Sequence, residues 1–108
     1  MLSDCMACLI FITCPNRKSA EKISKSLLKK GLVACINIIP RIKSMYWWEG
    51  KIEKSFETLL IIKTKDELFN SVKKEVIKLH PYKVPEVICV RISKGYEKYL
   101  KWIKEVTK

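Results

Sequence analysis

Gly31-Leu32-Val33-Ala34-Cys35-Ile36-Asn37-Ile38-Ile39-Pro40 opens the stretch on which the fold turns, and Ile42-Lys43-Ser44-Met45-Tyr46-Trp47-Trp48-Glu49-Gly50-Lys51 carries it on toward Thr64. Residues 31–64 read as two long β-strands joined by a tight turn at Trp48-Glu49-Gly50-Lys51, with the first strand interrupted at Pro40. The returning arm alternates. Ile52, Phe56, Leu60 and Ile62 fall on one face, and Lys51, Glu53, Ser55 and Glu57 on the other, the period of a half-buried strand. Past Thr58 both faces are apolar (Leu59, Leu60, Ile61, Ile62), so this half belongs in a covered sheet. Residues 51–63 extended at about 3.4 Å each reach about 44 Å, whereas a compact domain of this length is about 35 Å across. The hairpin outruns the body that should bury it, yet its tip is apolar and aromatic, and a two-stranded ribbon alone is marginal. The expected solution is a second copy of the chain covering the tip, with Met45, Tyr46 and Trp47 as interface residues.

The 108 residues predict a single domain over 1–108. A composition 48% apolar and 31% charged is that of an ordinary globular protein, which excludes disordered and fibrous classes. No run approaches 18 apolar residues, so no membrane span is expected. Residues 6–14 are apolar but follow Asp4, lack a basic flank and run into Pro15, which reads as a first strand and not as a signal peptide. The net charge of +11 admits a nucleic-acid or anionic-surface partner. Its carriers are scattered lysines with only three arginines (Arg17, Arg41, Arg91), which favours solvated helix faces. Five cysteines without an export signal point to a reducing cytoplasm. Cys5 and Cys8 have C-x-x-C spacing, but side chains three apart on a strand face opposite sides, and no second pair completes a zinc set.

Along the chain, residues 6–13 form a central strand. Asn16 caps a helix that runs to Lys30 with Ala20, Ile23, Leu27 and Leu28 as its buried stripe, and Gly31 sits where a terminating glycine belongs. After the hairpin, Thr64-Lys65-Asp66-Glu67 reads as a capping box opening a second helix over Leu68, Phe69, Val72, Val76 and Leu79, ended by His80-Pro81. Residues 80–86 form a loop, 87–92 a last strand that buries Cys89, and 96–106 a terminal helix with Tyr96, Tyr99, Leu100, Ile103 and Val106 on one side. The order β-α-β-β-α-β plus a C-terminal helix is the α+β ferredoxin-like arrangement. Two helices cover one face of a four-stranded antiparallel sheet, and the other face is left for a partner. Hairpin and open face both point to a closed homo-oligomer.

Five ordered motifs carry a resemblance: Thr13-Cys14-Pro15, residues 31–40, Tyr46-Trp47-Trp48-Glu49-Gly50-Lys51, Leu60-Ile61-Ile62-Lys63-Thr64, and His80-Pro81-Tyr82-Lys83-Val84-Pro85-Glu86. Over nearly its whole length the sequence resembles the CutA family of divalent-cation tolerance proteins. The resemblance implies a ferredoxin-like protomer in a tight homotrimer similar to the PII signalling proteins, with hairpins wrapping neighbouring subunits. It also implies a cytosolic protein linked to copper and other divalent metals. The sequence departs from the family in one respect. Where some members have a cysteine two residues before Cys14 and a histidine pair before the proline, it has Ile12 and Leu79, and only His80 remains.

His80 is the sole histidine and a candidate metal ligand; the competing role is a helix-end hydrogen bonder. Cys14 and Cys35 are candidate soft ligands for copper, with Glu86 to complete the shell. A second group, Asn37, Trp48, Glu49, Lys63 and Tyr82, with Glu86, would form a ligand cleft between subunits, with aromatic walls and a few convergent polar groups. No nucleophile with an adjacent base stands out, so an enzyme is not expected. No obligatory cofactor is expected either. The reading is a binding protein that reversibly takes copper, another divalent metal or a small anionic ligand at an inter-subunit cleft. The alternatives are a trimeric scaffold for partner proteins and a basic nucleic-acid or anionic-surface binder.

Overall fold

A computed structural model describes residues 6–108. Strand β1 (Ala7–Cys14) is central, flanked by the strands Lys51–Lys65 and Val87–Arg91. Its alternation turns Cys8, Ile10, Ile12 and Cys14 fully into the core, while Leu9, Phe11 and Thr13 stay half-buried on the other face. Helix α1 (Arg17–Lys29) starts at Asn16, whose side-chain oxygen accepts the Ser19 N–H at 2.8 Å. Its exit is a Schellman motif. Gly31, at φ +69°, donates to the Leu28 carbonyl, and Leu32 donates to that of Leu27, so the last carbonyls are satisfied by a residue free to adopt the left-handed region.

Strands β2 (Cys35–Trp48) and β3 (Lys51–Lys65) form the hairpin, paired from Cys35↔Lys63 out to Trp48↔Lys51. Glu49 at φ +49° and Gly50 at φ +79° make the two-residue turn, the mirror-image type whose twist suits a hairpin. A bulge lies between Ile39 and Ile42, with Arg41 at φ +58° and its guanidinium 4.7 Å above the Phe56 ring. Pro40 is tolerated because β2 is an edge strand, where a missing N–H breaks no essential ladder.

The expected capping box at Thr64 is not there. Strand β3 runs through to Lys65 opposite Ala7, and the Asp66 N–H still donates to the Met6 carbonyl at 2.7 Å. The Thr64 hydroxyl donates instead to the Leu32 carbonyl at 2.7 Å inside the core. Pairing with β1 outcompetes an earlier helix start. A short 3-10 turn (Asp66–Leu68) therefore precedes α2 (Phe69–Leu79). Strand β4 (Val87–Arg91) pairs with the other edge of β1, and α3 (Glu97–Val106) closes the chain.

The sheet order is β2-β3-β1-β4, antiparallel throughout, the ferredoxin-like arrangement expected. Ala20, Ile23 and Leu27 of α1 and Val72 and Val76 of α2 bury against Ile10, Ile12, Leu60 and Ile62. A carboxylate ties the two helices together: Glu75 accepts from Ser26 Oγ at 2.5 Å and Lys30 Nζ at 2.8 Å. Helix α3 packs against β3 and β1, and Tyr99 reaches Cys35, whose side chain lies on the face away from α1 and α2. The rest of that face stays bare, with Ile39, Ile88 and Val90 exposed. The molecule extends 47 × 26 × 21 Å. Trp47 at the hairpin tip is 73% exposed, and Ile52 and Phe56, expected on the buried side of β3, are exposed as well. The period was right, but the ribbon runs past the helices that could have covered it.

Candidate functional site

The sheet face away from α1 and α2 borders a cavity of about 650 Å³ along the hairpin. Thr13, next to last in β1, lines it, with Ser44, Tyr46 and Trp48 from β2 and Glu57 from β3. The loop after α2 supplies Tyr82, Lys83, Val84 and Glu86. That loop is held in place by His80. The Tyr82 N–H donates to His80 Nδ1 at 3.1 Å, so the proton on the ring is at Nε2, which donates to the Thr13 carbonyl at 2.8 Å. The ring also packs against that of Tyr82 at a tilt of 43°, centroids 4.9 Å apart. His80 is only 8% exposed and both nitrogens have protein partners, which is the role of a strut.

Tyr82 carries its hydroxyl to Glu57, donating to Oε2 at 2.6 Å. Glu57 is 7% exposed in this protomer, and no lysine or arginine among the described residues forms an ion pair with it. Its charge is felt around it. Burial, then the hydrogen bond to Glu57, push the Tyr82 phenol well above its usual range. Glu86 is exposed as a residue, yet partial burial of its carboxyl and then the charge of Glu57 hold it above the ordinary value. Burial, then Glu57, raise the Cys14 thiol to about 11. Two carboxylates against one rim lysine make the cleft a place where positive charge is missing.

The expected residues therefore divide. Trp48, Tyr82 and Glu86 come together in the cleft, joined by Met45 and Tyr46, which were expected only at an interface. Cys14 is fully buried on the helix side of β1. Cys35 pairs with Lys63, five residues along β3 from Thr58, the partner of Cys14. That is about 17 Å of strand, so the two thiols cannot share an ion within a protomer. Cys35, Asn37 and Lys63 form their own group, with Lys63 Nζ donating to Asn37 Oδ1 and lying 3.9 Å from Cys35 Sγ. Glu49 is in the turn, outside the cavity lining. Among the described residues no group of three or more metal-donor side chains gathers around His80. Glu57 was missed as a site residue. Its signal was being the last charge on β3 before the apolar run Leu59–Ile62.

The CutA1 divalent ion tolerance protein family model matches residues 8–106. The chain belongs to that family. It is 47% identical over 96 residues to the divalent-cation tolerance protein CutA of Archaeoglobus fulgidus, covering 89% of this chain and 93% of that one. The human protein CutA is 44% identical over 97 residues, 90% of this chain and 54% of the human protein. The chain thus spans little more than half of that relative, and 56% of the CutA 1 protein of Oryza sativa. Among solved structures, CutA1 from Thermus thermophilus superposes with a TM-score of 0.93 at 39% identity, over 95% of this chain and all of that one. The Archaeoglobus structure, described as a periplasmic divalent cation tolerance protein, gives 0.92 at 45% identity, with coverage of 95% and 100%. Among the described residues no helix is long and apolar enough to cross a membrane.

Proposed function

We propose that this CutA-family protein is a binding protein, not an enzyme, that takes a divalent cation reversibly in the cleft between β2, β3 and the 80–86 loop. Assembly into a PII-like homotrimer completes the site. The observation that carries this reading is Glu57, a buried carboxylate in a cleft lined by Tyr46, Trp48 and Tyr82 beside Glu86, which among the described residues has the Tyr82 hydroxyl and no ion pair to meet it. An ionised group in such a place is costly unless a countercharge arrives. Carboxylates and a phenol oxygen offer oxygen donors, which suit hard or borderline divalent ions better than monovalent copper. The cleft therefore favours a cation over the small anion also weighed from sequence.

The exposed tip supports the assembly. Met45, Trp47, Ile52 and Phe56 project beyond the helices, and a patch of this kind marks an interaction surface. A hairpin laid over a neighbour would also wall the open side of the cleft. The four described cysteines are free thiols, which suits a reducing compartment such as the cytoplasm.

Calorimetric titration of the reduced protein with copper(II) and with zinc tests the reading. A saturable binding step near one ion per subunit that is weakened at least about tenfold by Glu57→Gln is expected. Binding unaffected by Glu57→Gln, or none tighter than about millimolar, contradicts it. A scaffold with no ligand gives the second result. A nucleic-acid binder is marked by affinity for duplex DNA that falls steeply between about 50 and 200 mM salt.

A further inference from the structure

Three donor groups that the cleft does not use meet at the other end of β1. Cys8 Sγ, Cys89 Sγ and a carboxylate oxygen of Asp66 all lie within 4.8 Å of one another. Cys8 is five residues from Thr13, about 17 Å along the strand, so this cluster is separate from the cleft. The C-x-x-C spacing of Cys5 and Cys8 was read as unable to share an ion, and Cys5 lies outside the described residues; the fold brings Cys8 instead beside Cys89, on the neighbouring strand.

Each donor is placed by the backbone. Cys8 is fully buried in β1, and Cys89 is half-buried in edge strand β4. Asp66 is fixed at the end of β3 by its N–H bond to Met6. Arg91 Nε donates to Asp66 Oδ2 at 3.1 Å, which leaves Oδ1 facing the sulfurs, 3.7 Å from Cys89 Sγ. The register argues against a disulfide. Cys8 stands opposite Arg91, and Cys89 opposite Ile10. The two cysteines are therefore diagonal neighbours about 7–8 Å apart, beyond the usual Cα reach of about 4.4–6.8 Å. A bridging ion has no such difficulty: zinc–sulfur bonds of about 2.3 Å in a tetrahedron set two sulfurs about 3.8 Å apart.

We propose that Cys8, Cys89 and Asp66 form a binding site for a thiophilic divalent cation of the zinc and cadmium class. Two thiolates, one carboxylate and a divalent ion sum to a single negative charge, which Arg91 neutralises, as a half-buried cluster requires. A cation that binds two cysteine sulfurs takes them as thiolates and displaces their protons. The half-buried Cys89 and Asp66 leave an approach from the β4 edge, where water would take the fourth position.

The test uses the full chain carrying Cys5→Ser, kept reduced by a phosphine, titrated with cobalt(II) and then with zinc. The expected result is one thiolate-bound cobalt per chain, read from a near-ultraviolet thiolate-to-cobalt band that saturates at one equivalent apart from any ion in the cleft, with the visible bands of a tetrahedral ion, bleaching by zinc and proton release on binding. Cys89→Ala, on an edge strand, should halve the thiolate band and weaken binding at least about tenfold. The Glu57→Gln/Glu86→Gln double variant should leave band and affinity unchanged, which keeps this site distinct from the cleft whether or not the cleft binds metal. Absence of a thiolate band, or a band that survives Cys89→Ala undiminished, or one lost in the double variant, overturns the proposal.

Discussion

Glu86 ionises against resistance, because partial burial and the neighbouring Glu57 both favour its neutral form. Its folded pKa is raised above the unfolded value, so its contribution to stability is fully present below about pH 4.5 and is lost as pH rises through the folded value. Glu86→Gln should therefore raise the thermal midpoint at pH 7, with the gain vanishing below about pH 4.5; a lower midpoint at pH 7 would contradict the assignment. His80 behaves differently. It joins Thr13 to Tyr82 through both ring nitrogens, and losing two part-buried hydrogen bonds costs about 2–4 kcal/mol. His80→Ala should show that loss in urea unfolding while the cleft still binds its cation, since no coordination passes through the ring; abolished binding in a folded His80→Ala protein would restore the histidine as a ligand. The aromatic walls of the site were legible in the sequence, because Trp48 and Tyr82 are conspicuous as residues. Glu57 was not, because its hydrogen-bond partner in the cleft is Tyr82, 25 residues away, and no local pattern carries that.

At the scale of elements, what is local was readable. The Asn16 cap, the Gly31 exit and the Glu49-Gly50 turn each depend on neighbours within a few residues, and each is where the sequence put it. The start of α2 was misplaced for the opposite reason. Thr64 and Asp66 look like cap residues locally, but β1, far away in sequence, keeps this stretch as strand through Lys65. The union of α1 with α2 was likewise invisible. Glu75 lies 49 residues from Ser26 and 45 from Lys30, and their hydrogen bonds hold its carboxyl below the usual range. A depressed carboxyl contributes stability that is present above about pH 4.5 and is lost as pH falls through the folded value. Glu75→Gln should therefore lower the urea midpoint at pH 7 and flatten its decline in acid. An acid limb as steep as that of the parent protein would show that the bridge between the helices contributes nothing.

At the scale of the molecule, the β-α-β-β-α-β order and its antiparallel sheet followed from periodicity, and the excess length of the hairpin followed from arithmetic on strand rise. The 47 Å long axis agrees with that arithmetic, and the tip is as exposed in the protomer as a ribbon longer than its body must be. Assembly is the expected remedy. Light scattering at micromolar concentration should give three protomer masses, and Trp47→Lys, which puts a charge into the contact, should lower the mass; a wild-type monomer would leave the tip unexplained. The exposed lysines of α1, Lys18, Lys22, Lys25 and Lys29, lie on the side of the sheet opposite its bare face. The most direct measurement is an anomalous-difference map from crystals of the assembled protein grown with zinc. A peak is expected in the cleft beside the Glu57 and Glu86 carboxylates. Zinc-loaded crystals with that cleft empty, and density only at His80 or at the Cys8–Cys89 cluster, would contradict it.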